Sequence, residues 1–309
     1  MKPSPRVTAV ATLLLLTSMV LSVLLLRQVD RLRAGATLQE VLYLSSPKAI
    51  KRLSLGYSGL VADIYWTRAV QYFGNKHHTG EEHYKLLAPL LEITTALDPK
   101  LRVAYEYGSN FLAAPPALGA GMPQEAIRLI QFGIRNNPDQ WHLYYDLGFV
   151  YYLELKDYVA AAKAFEAGSR LPNAHPFMKL MAGNMAQHAG DYQMARMLWT
   201  ATYESATEKV VRANAKAHLR AITVDQDVIA LDDVVAKYRD ETGHLPNSFS
   251  ELMSAGLLRG LPLDPLGHPY VLVSDGSIEV NDPDNLPFIQ KGTPPGYVPP
   301  SSPHLPTAD

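Results

Sequence analysis

The chain of 309 residues contains no cysteine. This absence excludes disulfide bonds, thiol nucleophiles, iron–sulfur clusters and zinc sites built on cysteine. Free thiols are a liability in oxidising compartments, so a cysteine-free chain favours a position outside the cytoplasm, although this absence alone does not fix the compartment.

The sequence also lacks an excess of charge of either sign. It has 28 Lys and Arg residues against 30 Asp and Glu, a formal net charge of −2. Because affinity for nucleic acid rests on basic charge, we predict no nucleic-acid partner. Hydrophobic residues make up 47% of the chain and aromatic residues 9%, so wholesale disorder is not expected.

Catalytic motifs are missing as well, since no HExxH, P-loop, GxSxG or Rossmann pattern is present. The nearest approach to a metal site is the run HHTGEEH at His77–His83. Its histidines and glutamates are ligand types that zinc accepts, but a solvated turn between two helices is the simpler interpretation. We predict no enzyme activity and no cofactor, with a metal-dependent hydrolase at this turn as the alternative.

Four aspartates are expected on the exposed face and first turn of a later helix: Asp225, Asp227, Asp232 and Asp233.

One long apolar run is present near the N-terminus. Val7 to Leu26 are twenty residues without a charge. At about 1.5 Å per residue, a helix of this length covers roughly 30 Å, the thickness of one hydrocarbon core. The run is longer than a usual signal-peptide core, and its one A-x-A match, Ala34–Ala36, lies beyond three arginines. We predict an uncleaved membrane anchor; a cleaved signal peptide and a buried soluble helix are the alternatives.

The charges that flank this run do not decide its orientation, because Lys2 and Arg6 precede it and Arg27, Arg31 and Arg33 follow it. A short N-terminal tail before a long body favours a signal anchor. We therefore predict a single-pass protein of the bacterial cytoplasmic membrane with its bulk in the periplasm, and a cytoplasm-facing adaptor as the alternative.

The middle of the chain contains an internal repeat. An Asp-Tyr pair followed by an alanine and then by a large aromatic residue occurs twice, 34 residues apart: Asp157-Tyr158, Ala161 and Phe165, then Asp191-Tyr192, Ala195 and Trp199. This period and these residue types are typical of repeats of two antiparallel helices. We expect Gly148 and Gly183 where the first helix of a repeat approaches its partner, and Phe165 and Trp199 in the wedge to the next repeat.

This region resembles the tetratricopeptide repeat (TPR) family over roughly residues 57–209, with four units near 57–100, 101–140, 141–175 and 176–209. The resemblance implies a mainly α fold, a TPR-like α-solenoid closed by a helix at Val210–Ile222. An insert at Ala113–Met122 is expected to be a lengthened turn, or else an apolar lip that touches a partner.

Members of this family usually bind segments of other proteins in a groove lined by the first helix of each repeat. Matching this chain to the family pattern places the following residues in that groove: Arg102, Tyr105, Ser109, His142, Tyr145, Phe149, Tyr152, Leu180, Asn184, Gln187 and His188. The positions at which some members bind a C-terminal carboxylate through Lys and Arg hold mostly aromatic or neutral residues here. That departure argues against a ligand of this type.

The first helix of the third unit is aromatic on two sides. Tyr145, Phe149 and Tyr152 have the spacing i, i+4, i+7 and share one face, while Tyr144 and Tyr151 belong to the opposite face. Two interpretations stay open: the first set packs against a neighbouring repeat or the C-terminal module, or it forms an aromatic shelf for a peptide.

The C-terminal segment has a different pattern. The order Tyr, Thr-Gly-x-x-Pro, a Leu-rich helix, Leu-Pro-x-Asp-Pro-x-Gly-x-Pro-Tyr and a β-hairpin resembles the end of type II secretion major pseudopilins over about 45 residues. The residues of its most specific part are Asp264, Pro265, Gly267, Pro269 and Tyr270. We expect them to form a tight turn that buries the tyrosine, so their role is structural first. A prepilin-peptidase site and a recognisable calcium loop are missing, so the chain is not predicted to be a pilin subunit.

The predicted organisation is therefore a tail and anchor (1–36), a connecting helix (37–56), helical repeats with a closing helix (57–223), a small α+β module (224–283) and a Pro-rich disordered tail (284–309). The predicted function is that of a membrane-anchored scaffold for protein–protein interaction in the cell envelope, with a secretion or pilus-like assembly as the implied setting.

Overall fold

A computed structural model describes residues 14–25, 27–28, 46–80 and 83–300 of the chain. The described residues form a mainly helical fold with one small two-stranded sheet, which confirms the predicted fold class at this level. Contacts divide the chain into two compact units: Met1–Gly74 with Tyr84–Asp98, and Asn75–His83 with Pro99–Asp309.

The first unit contains a helical segment α1 (residues 14–25), α2 (Pro47–Leu53), most of α3 (Ser58–Thr79) and α4 (Leu87–Leu97). Helix α2 packs against α4. Helix α3 buries Ala62, Tyr65, Ala69 and Tyr72, whose spacing places them on one face. The hydroxyl of Tyr72 accepts a hydrogen bond from the Leu86 backbone N–H at 3.4 Å.

None of the helices in the described part of the chain has the length and hydropathy needed to cross a membrane. The predicted anchor, Val7 to Leu26, lies partly outside this part, because residues 7–13 and 26 are not described. It therefore stays a prediction, as does the connecting helix over residues 37–45, which also lie outside the described ranges.

A tight turn joins α2 to α3. The Tyr57 N–H donates to the Ser54 carbonyl at 2.8 Å, and the two central residues, Leu55 and Gly56, have φ of 48° and 95°. Glycine adopts a positive φ freely, whereas a leucine does so at a cost of roughly 1–2 kcal/mol. The leucine side chain is 85% exposed, so burial in the described structure does not offset that cost.

The second unit contains helices that pack chiefly against their neighbours in sequence. They are α5 (Arg102–Ala113), α6 (Pro123–Asn136), α7 (Trp141–Phe149), which continues as a π-helical turn (Val150–Leu155), α8 (Tyr158–Ser169), α9 (Phe177–His188), α10 (Tyr192–Ser205) and α11 (Lys209–Thr242). The loop after α5 folds back on that helix through hydrogen bonds from the Ala120 and Met122 N–H groups to the Phe111 and Leu112 carbonyls.

The hairpins α7–α8 and α9–α10 are built alike. Asp157 and Asp191 each precede the second helix and accept a hydrogen bond from the backbone N–H three residues on, at 2.9 and 3.0 Å. A Cβ added at Gly148 would lie 2.7 Å from the Phe165 ring, and one added at Gly183 would lie 2.9 Å from the Trp199 indole. The two aromatic rings therefore fill the space that glycine leaves within one hairpin, rather than only a wedge between repeats.

Helix α11 is continuous over 34 residues. The predicted boundary lies at residues 223–224, but the helix runs through it because its sequence contains neither glycine nor proline. Two of the aspartates expected on an exposed face are not exposed there. Asp225 is completely buried, and Asp227 accepts a hydrogen bond from the Tyr270 hydroxyl at 2.9 Å.

Beyond α11 lie α12 (Phe249–Ser254), the strands β1 (Val271–Leu272) and β2 (Ile278–Glu279), and a 3-10 turn (Pro283–Asn285). The strands are antiparallel, with Leu272 paired to Ile278, as the predicted hairpin requires. Their core includes Val228, Leu231, Val235, Tyr238, Phe249, Leu252, Tyr270, Ile278, Val280 and Leu286.

The turn before β1 is organised by Asp264, which is 5% exposed. Its Oδ1 accepts hydrogen bonds from the Leu266 and His268 N–H groups at 2.7 and 3.0 Å, and Gly267 adopts a φ of 89°. Pro269 is bridged to Leu263 across the turn, Pro265 follows the aspartate, and Tyr270 is buried. The five motif residues therefore lie in one turn, which positions the tyrosine.

The tail differs from its predicted disorder over residues 284–297. Leu286 is buried, the Val280 N–H donates to the Gly292 carbonyl at 2.8 Å, and the Tyr297 hydroxyl donates to Asp284 at 2.9 Å. The proline content of the tail misled the prediction, because apolar residues between the prolines pack onto α11 and the small sheet. Residues 301–309 lie outside the described part of the chain.

Candidate functional site

Three of the predicted groove residues are not accessible. Tyr105 and Ser109 are completely buried and Gln187 is 1% exposed. The Tyr105 ring packs on Gly133 of α6, where an added Cβ would meet it at 2.8 Å. These three positions are therefore corrections to the predicted binding surface. Tyr105 fits against Gly133, the Gln187 amide donates to Asp225, and the Ser109 hydroxyl donates to the Glu106 carbonyl of its own helix.

The remaining predicted residues reach the surface in part. Arg102 and His188 are exposed, and the others are half-buried: His142, Tyr145, Phe149, Tyr152, Leu180 and Asn184. The structure thus retains a surface on α7 and α9 from the predicted set.

The most developed part of this surface is a row of rings along α7 and the start of α8, here called the aromatic band: Trp141, Tyr145, Phe149, Tyr152 and Tyr158. Successive ring centroids lie 6.3, 4.6, 6.3 and 6.1 Å apart. All five side chains are half-buried. At its end the band continues to His188 of α9, which stacks on Tyr158 at 5.3 Å.

The ring contacts of Tyr145 and Phe149 with the core lie within their own hairpin, so contact with a neighbouring repeat or the C-terminal module stays a prediction, as does the peptide shelf. Phe149 and Tyr145 make edge-to-face contacts with the buried Phe165 ring at 5.2 and 6.4 Å, so one side of the band packs on the core. The opposite side remains partly open to solvent. The rings are therefore held in place by the core while keeping a surface for contact.

Sequence reasoning missed two members of the band. Trp141 lies one helical turn before Tyr145, so its spacing was a usable signal. Tyr158 lies on the next helix, and no spacing rule connects it to Tyr152. The π-helical turn at Val150–Leu155 and the left-handed Lys156 (φ of 54°) bring the two rings together.

A cluster of ionisable side chains lies between α5 and α7, and sequence reasoning did not find it. Glu106 pairs with Arg102, with Nε and Oε1 2.9 Å apart. His142 Nδ1 and Asp146 Oδ2 are buried and have no hydrogen-bond partner among the described residues. Burial, and secondarily the Glu106 charge, raise the pKa of Asp146 to about 7, while the Arg102 charge acts against the rise. Burial also lowers the pKa of His142.

A pocket of about 460 Å³ opens beside this cluster. It is lined by Lys100, Arg102, Tyr105, Asn137, Gln140 and Leu143. Asn137 is held by its side-chain amide, which donates to the Pro99 carbonyl at 2.7 Å. The lining is mainly polar and carries two cations, which distinguishes this end of the second unit from the aromatic band.

A second polar cluster has a buried centre, Gln187, His218 and Asp225, and connects the tail to α9 and α11. Gln187 Nε2 donates to Asp225 at 3.1 Å and to the Phe288 carbonyl at 2.9 Å, and Asp225 Oδ1 also accepts from the Gln290 and Lys291 N–H groups at 2.7 and 2.9 Å. Burial raises the pKa of Asp225, and these hydrogen bonds oppose the rise.

His218 completes this cluster. Its Nδ1 lies 3.0 Å from Gln187 Oε1, and its ring is stacked between Trp199 at 3.9 Å and Phe288 at 4.0 Å. Burial, followed by the nearby charge of His188, lowers the pKa of His218 to about 3, so the ring stays neutral at physiological pH. A neutral ring in such a stack has a structural role.

The HHTGEEH run gives no metal site in the described part of the chain, where no group of three or more His, Asp or Glu side chains is arranged to hold a metal ion. His77 and His78 lie in the last turn of α3, while Glu81 and Glu82 lie outside the described residues. The alternative of a hydrolase at this turn thus remains a sequence-based hypothesis.

Comparison with protein-family models, with curated proteins and with solved structures finds no match to this chain.

Proposed function

We propose that this chain is a membrane-anchored scaffold of the cell envelope that binds a segment of another protein along the aromatic band. The band supports this proposal because large, rigid rings lose little conformational entropy on binding and dominate many protein interfaces. In this chain Tyr145 and Phe149 are held from behind by Phe165, and all five rings are half-buried. A partner would find the surface largely preformed, which lowers the entropic cost of binding.

The setting of the scaffold is part of the same proposal. The apolar run Val7–Leu26 would hold the chain as a single-pass protein of the bacterial cytoplasmic membrane, with the repeats in the periplasm. The resemblance of the C-terminal module to major pseudopilins favours a role in a secretion or pilus-like assembly, an argument by analogy because fold alone does not give function.

Site-specific photo-crosslinking tests partner binding. In the test variant, a photoreactive phenylalanine analogue replaces Tyr152 in the full chain, which is crosslinked in membranes of its own host. The matched control carries the analogue at Tyr107, which is 56% exposed and lies outside the band. We expect a discrete crosslinked species from Tyr152 only. Tyr145→Ala introduced with the Tyr152 analogue should reduce that species, because it removes another ring of the aromatic band, two places along from Tyr152.

Equal crosslinking from Tyr152 and Tyr107, or an unchanged yield after Tyr145→Ala in a chain that remains helical by circular dichroism, would limit the band to core packing.

Two further measurements address the alternative functions. Metal analysis of the purified chain tests the hydrolase hypothesis, and a reporter active only in the cytoplasm, fused after Asp309, tests the orientation: activity of that reporter would indicate a cytoplasm-facing adaptor.

A further inference from the structure

The turn between α2 and α3 carries a concentration of exposed apolar side chains, here called the turn patch: Leu53 (65% exposed), Leu55 (85%), Tyr57 (70%), Leu60 (60%) and Ile64 (46%). Scattered single hydrophobic residues on a surface need no explanation, but a contiguous group marks an interaction site. Leu60 and Ile64 share one face of the first two turns of α3, and Tyr57, which immediately precedes the helix, continues that spacing as i, i+3, i+7.

The geometry of the turn indicates that this exposure is built in. The hydrogen bond from Tyr57 N–H to the Ser54 carbonyl closes the turn, and the strained positive φ of Leu55 directs the most exposed leucine of the described chain to its tip. Ser54, the polar residue of the turn, is the buried one, at 8% exposure. A turn selected only for folding would favour glycine or asparagine at the Leu55 position and would bury the apolar residue.

The charge on the α2 side of the patch is positive, while one exposed acid, Asp63, lies next to Ile64 at the far end. Lys48, Lys51 and Arg52 are exposed on α2, and no acidic residue occurs between Ser46 and Asp63. Further along the exposed face of α3 the apolar residues give way to Thr67, Arg68 and Gln71. An apolar tip with a tyrosine, bordered by cations, is the arrangement that lies in the headgroup region of an anionic bilayer.

We infer that the turn patch is a second membrane contact, which docks the first unit on anionic lipid headgroups with Leu55 in the interface. This inference depends on the proposed anchor, and it is independent of partner binding by the aromatic band. Twenty residues separate Leu26 from Pro47, which at about 3.5 Å per residue keep the patch within roughly 70 Å of the membrane. Such a tether raises the effective concentration of the patch at the lipid surface.

A second copy of the chain fits the patch less well. A symmetric contact between two copies through the patch would place Lys48, Lys51 and Arg52 of both copies around one interface, and like charges oppose such pairing. Anionic headgroups supply the complementary charge, and each basic residue near the surface favours the docked state by about five-fold.

The absence of cysteine allows a direct test, since single-cysteine variants of the full chain can be labelled without background. The variants Leu55→Cys, Ser18→Cys and Met197→Cys carry an environment-sensitive fluorophore in nanodiscs of phosphatidylcholine with phosphatidylglycerol. Ser18 reports on the proposed anchor, and Met197, which is 54% exposed on α10, is the aqueous control. A lipid-borne quencher reports contact with the bilayer.

We expect the Leu55 and Ser18 probes to emit at shorter wavelength and to be quenched, and the Met197 probe to do neither. Replacing Lys48, Lys51 and Arg52 by glutamine should shift the docking equilibrium of the Leu55 probe on the order of 100-fold toward solvent while the Ser18 probe stays quenched. Nanodiscs of phosphatidylcholine alone should have the same effect.

Three results would overturn the inference. A Leu55 probe as aqueous as the Met197 probe, with Ser18 quenched, would remove the second contact and leave the anchor intact. Loss of quenching at both Leu55 and Ser18 would remove the anchor itself. A blue-shifted Leu55 probe that the lipid-borne quencher does not reach would place the patch against protein, either residues 29–45 or a second copy.

Discussion

At the scale of single residues, Asp146 is a side chain whose pKa lies far from its ordinary value. Burial raises its pKa to about 7, above the ordinary value of 3.8. An aspartate with a raised pKa in the folded state contributes stability that is complete below its unfolded pKa and is lost as the pH rises through the folded pKa. The window for this loss therefore runs from about pH 4 to pH 7.

Asp146→Asn should remove this pH-dependent loss. At about pH 8 we expect the variant to be more stable than the parent by about 1–3 kcal/mol, because a shift of three units corresponds to at most about 4 kcal/mol. At about pH 4 the difference should be small, since the parent carboxyl is then protonated in both states. Urea unfolding at the two pH values measures the change.

The exposed Asp139 offers a control for this measurement. Asp139→Asn removes one charge from the same region and should change the stability by a similar, small amount at both pH values. If Asp146→Asn behaves in the same way, the carboxyl of Asp146 is solvated in the fold and its pKa is not raised.

Other residue-level features were beyond sequence reasoning for a common reason. The aromatic spacing of Tyr145, Phe149 and Tyr152 is visible in the sequence because it depends on one helix. The burial of Gln187 and Asp225 depends on Phe288, Gln290 and Lys291, which lie far along the chain and complete a shared polar cluster. No pattern of neighbouring residues predicts a contact between segments so far apart in the chain.

At the scale of elements, the repeat period predicted the similar helical hairpins well, because small residues recur wherever two helices approach. Gly148 faces the buried Phe165 ring, and Gly183 faces Trp199. The limits of α11 were harder to predict. Its sequence contains two patterns, one typical of a helix that closes the repeats and one typical of the first helix of the C-terminal module. Only the absence of glycine and proline between them indicates that they form one helix.

The close approach in the α7–α8 hairpin gives an element-scale prediction. Gly148→Ala would place a methyl group 2.7 Å from a ring that has no room to move, since Phe165 is completely buried. We expect a loss of about 1–3 kcal/mol in the free energy of unfolding, as for other overpacked cores. Thermal or urea unfolding of the full chain measures it.

The matched control is Gly74→Ala in α3, where nothing lies within 4 Å of the added methyl group. There the higher helix propensity of alanine should stabilise the protein by up to about 1 kcal/mol. Equal effects at both glycines would indicate that the hairpin is not closely packed at Gly148.

At the scale of the whole molecule, the mainly helical fold class follows from the sequence, whereas the course of the tail does not. Proline content argues for an extended chain, but it does not reveal that Leu286 and Phe288 have apolar surfaces to cover. The tail therefore forms part of the folded structure as far as Tyr297.

Shortening the chain tests the contribution of the tail. A chain that ends after Asp284 leaves Asp225 without the Gln290 and Lys291 donors and His218 without the Phe288 ring. We expect a loss of about 2–4 kcal/mol, since a buried polar group without partners and a lost aromatic contact each carry a penalty. Hydrogen exchange should increase in α9 and α11.

A chain that ends after Tyr297 keeps all of these contacts and should be as stable as the full chain. Should both shortened chains unfold at the same urea concentration as the parent, residues 285–297 would contribute nothing to the stability of the repeats.

The attachment of the tail also has a mechanical consequence. The backbone of Gln290, Lys291 and Gly292 is bonded to the middle of α11 and to the end of β2, rather than to a chain terminus. A partner that pulls on residues beyond 297 would therefore apply force first to the polar cluster around Asp225. Because Gln187 belongs to that cluster, the force would pass to the α9–α10 hairpin before any helix begins to unwind. Tension applied at the C-terminus would reach the repeat array as a force on its folded interior.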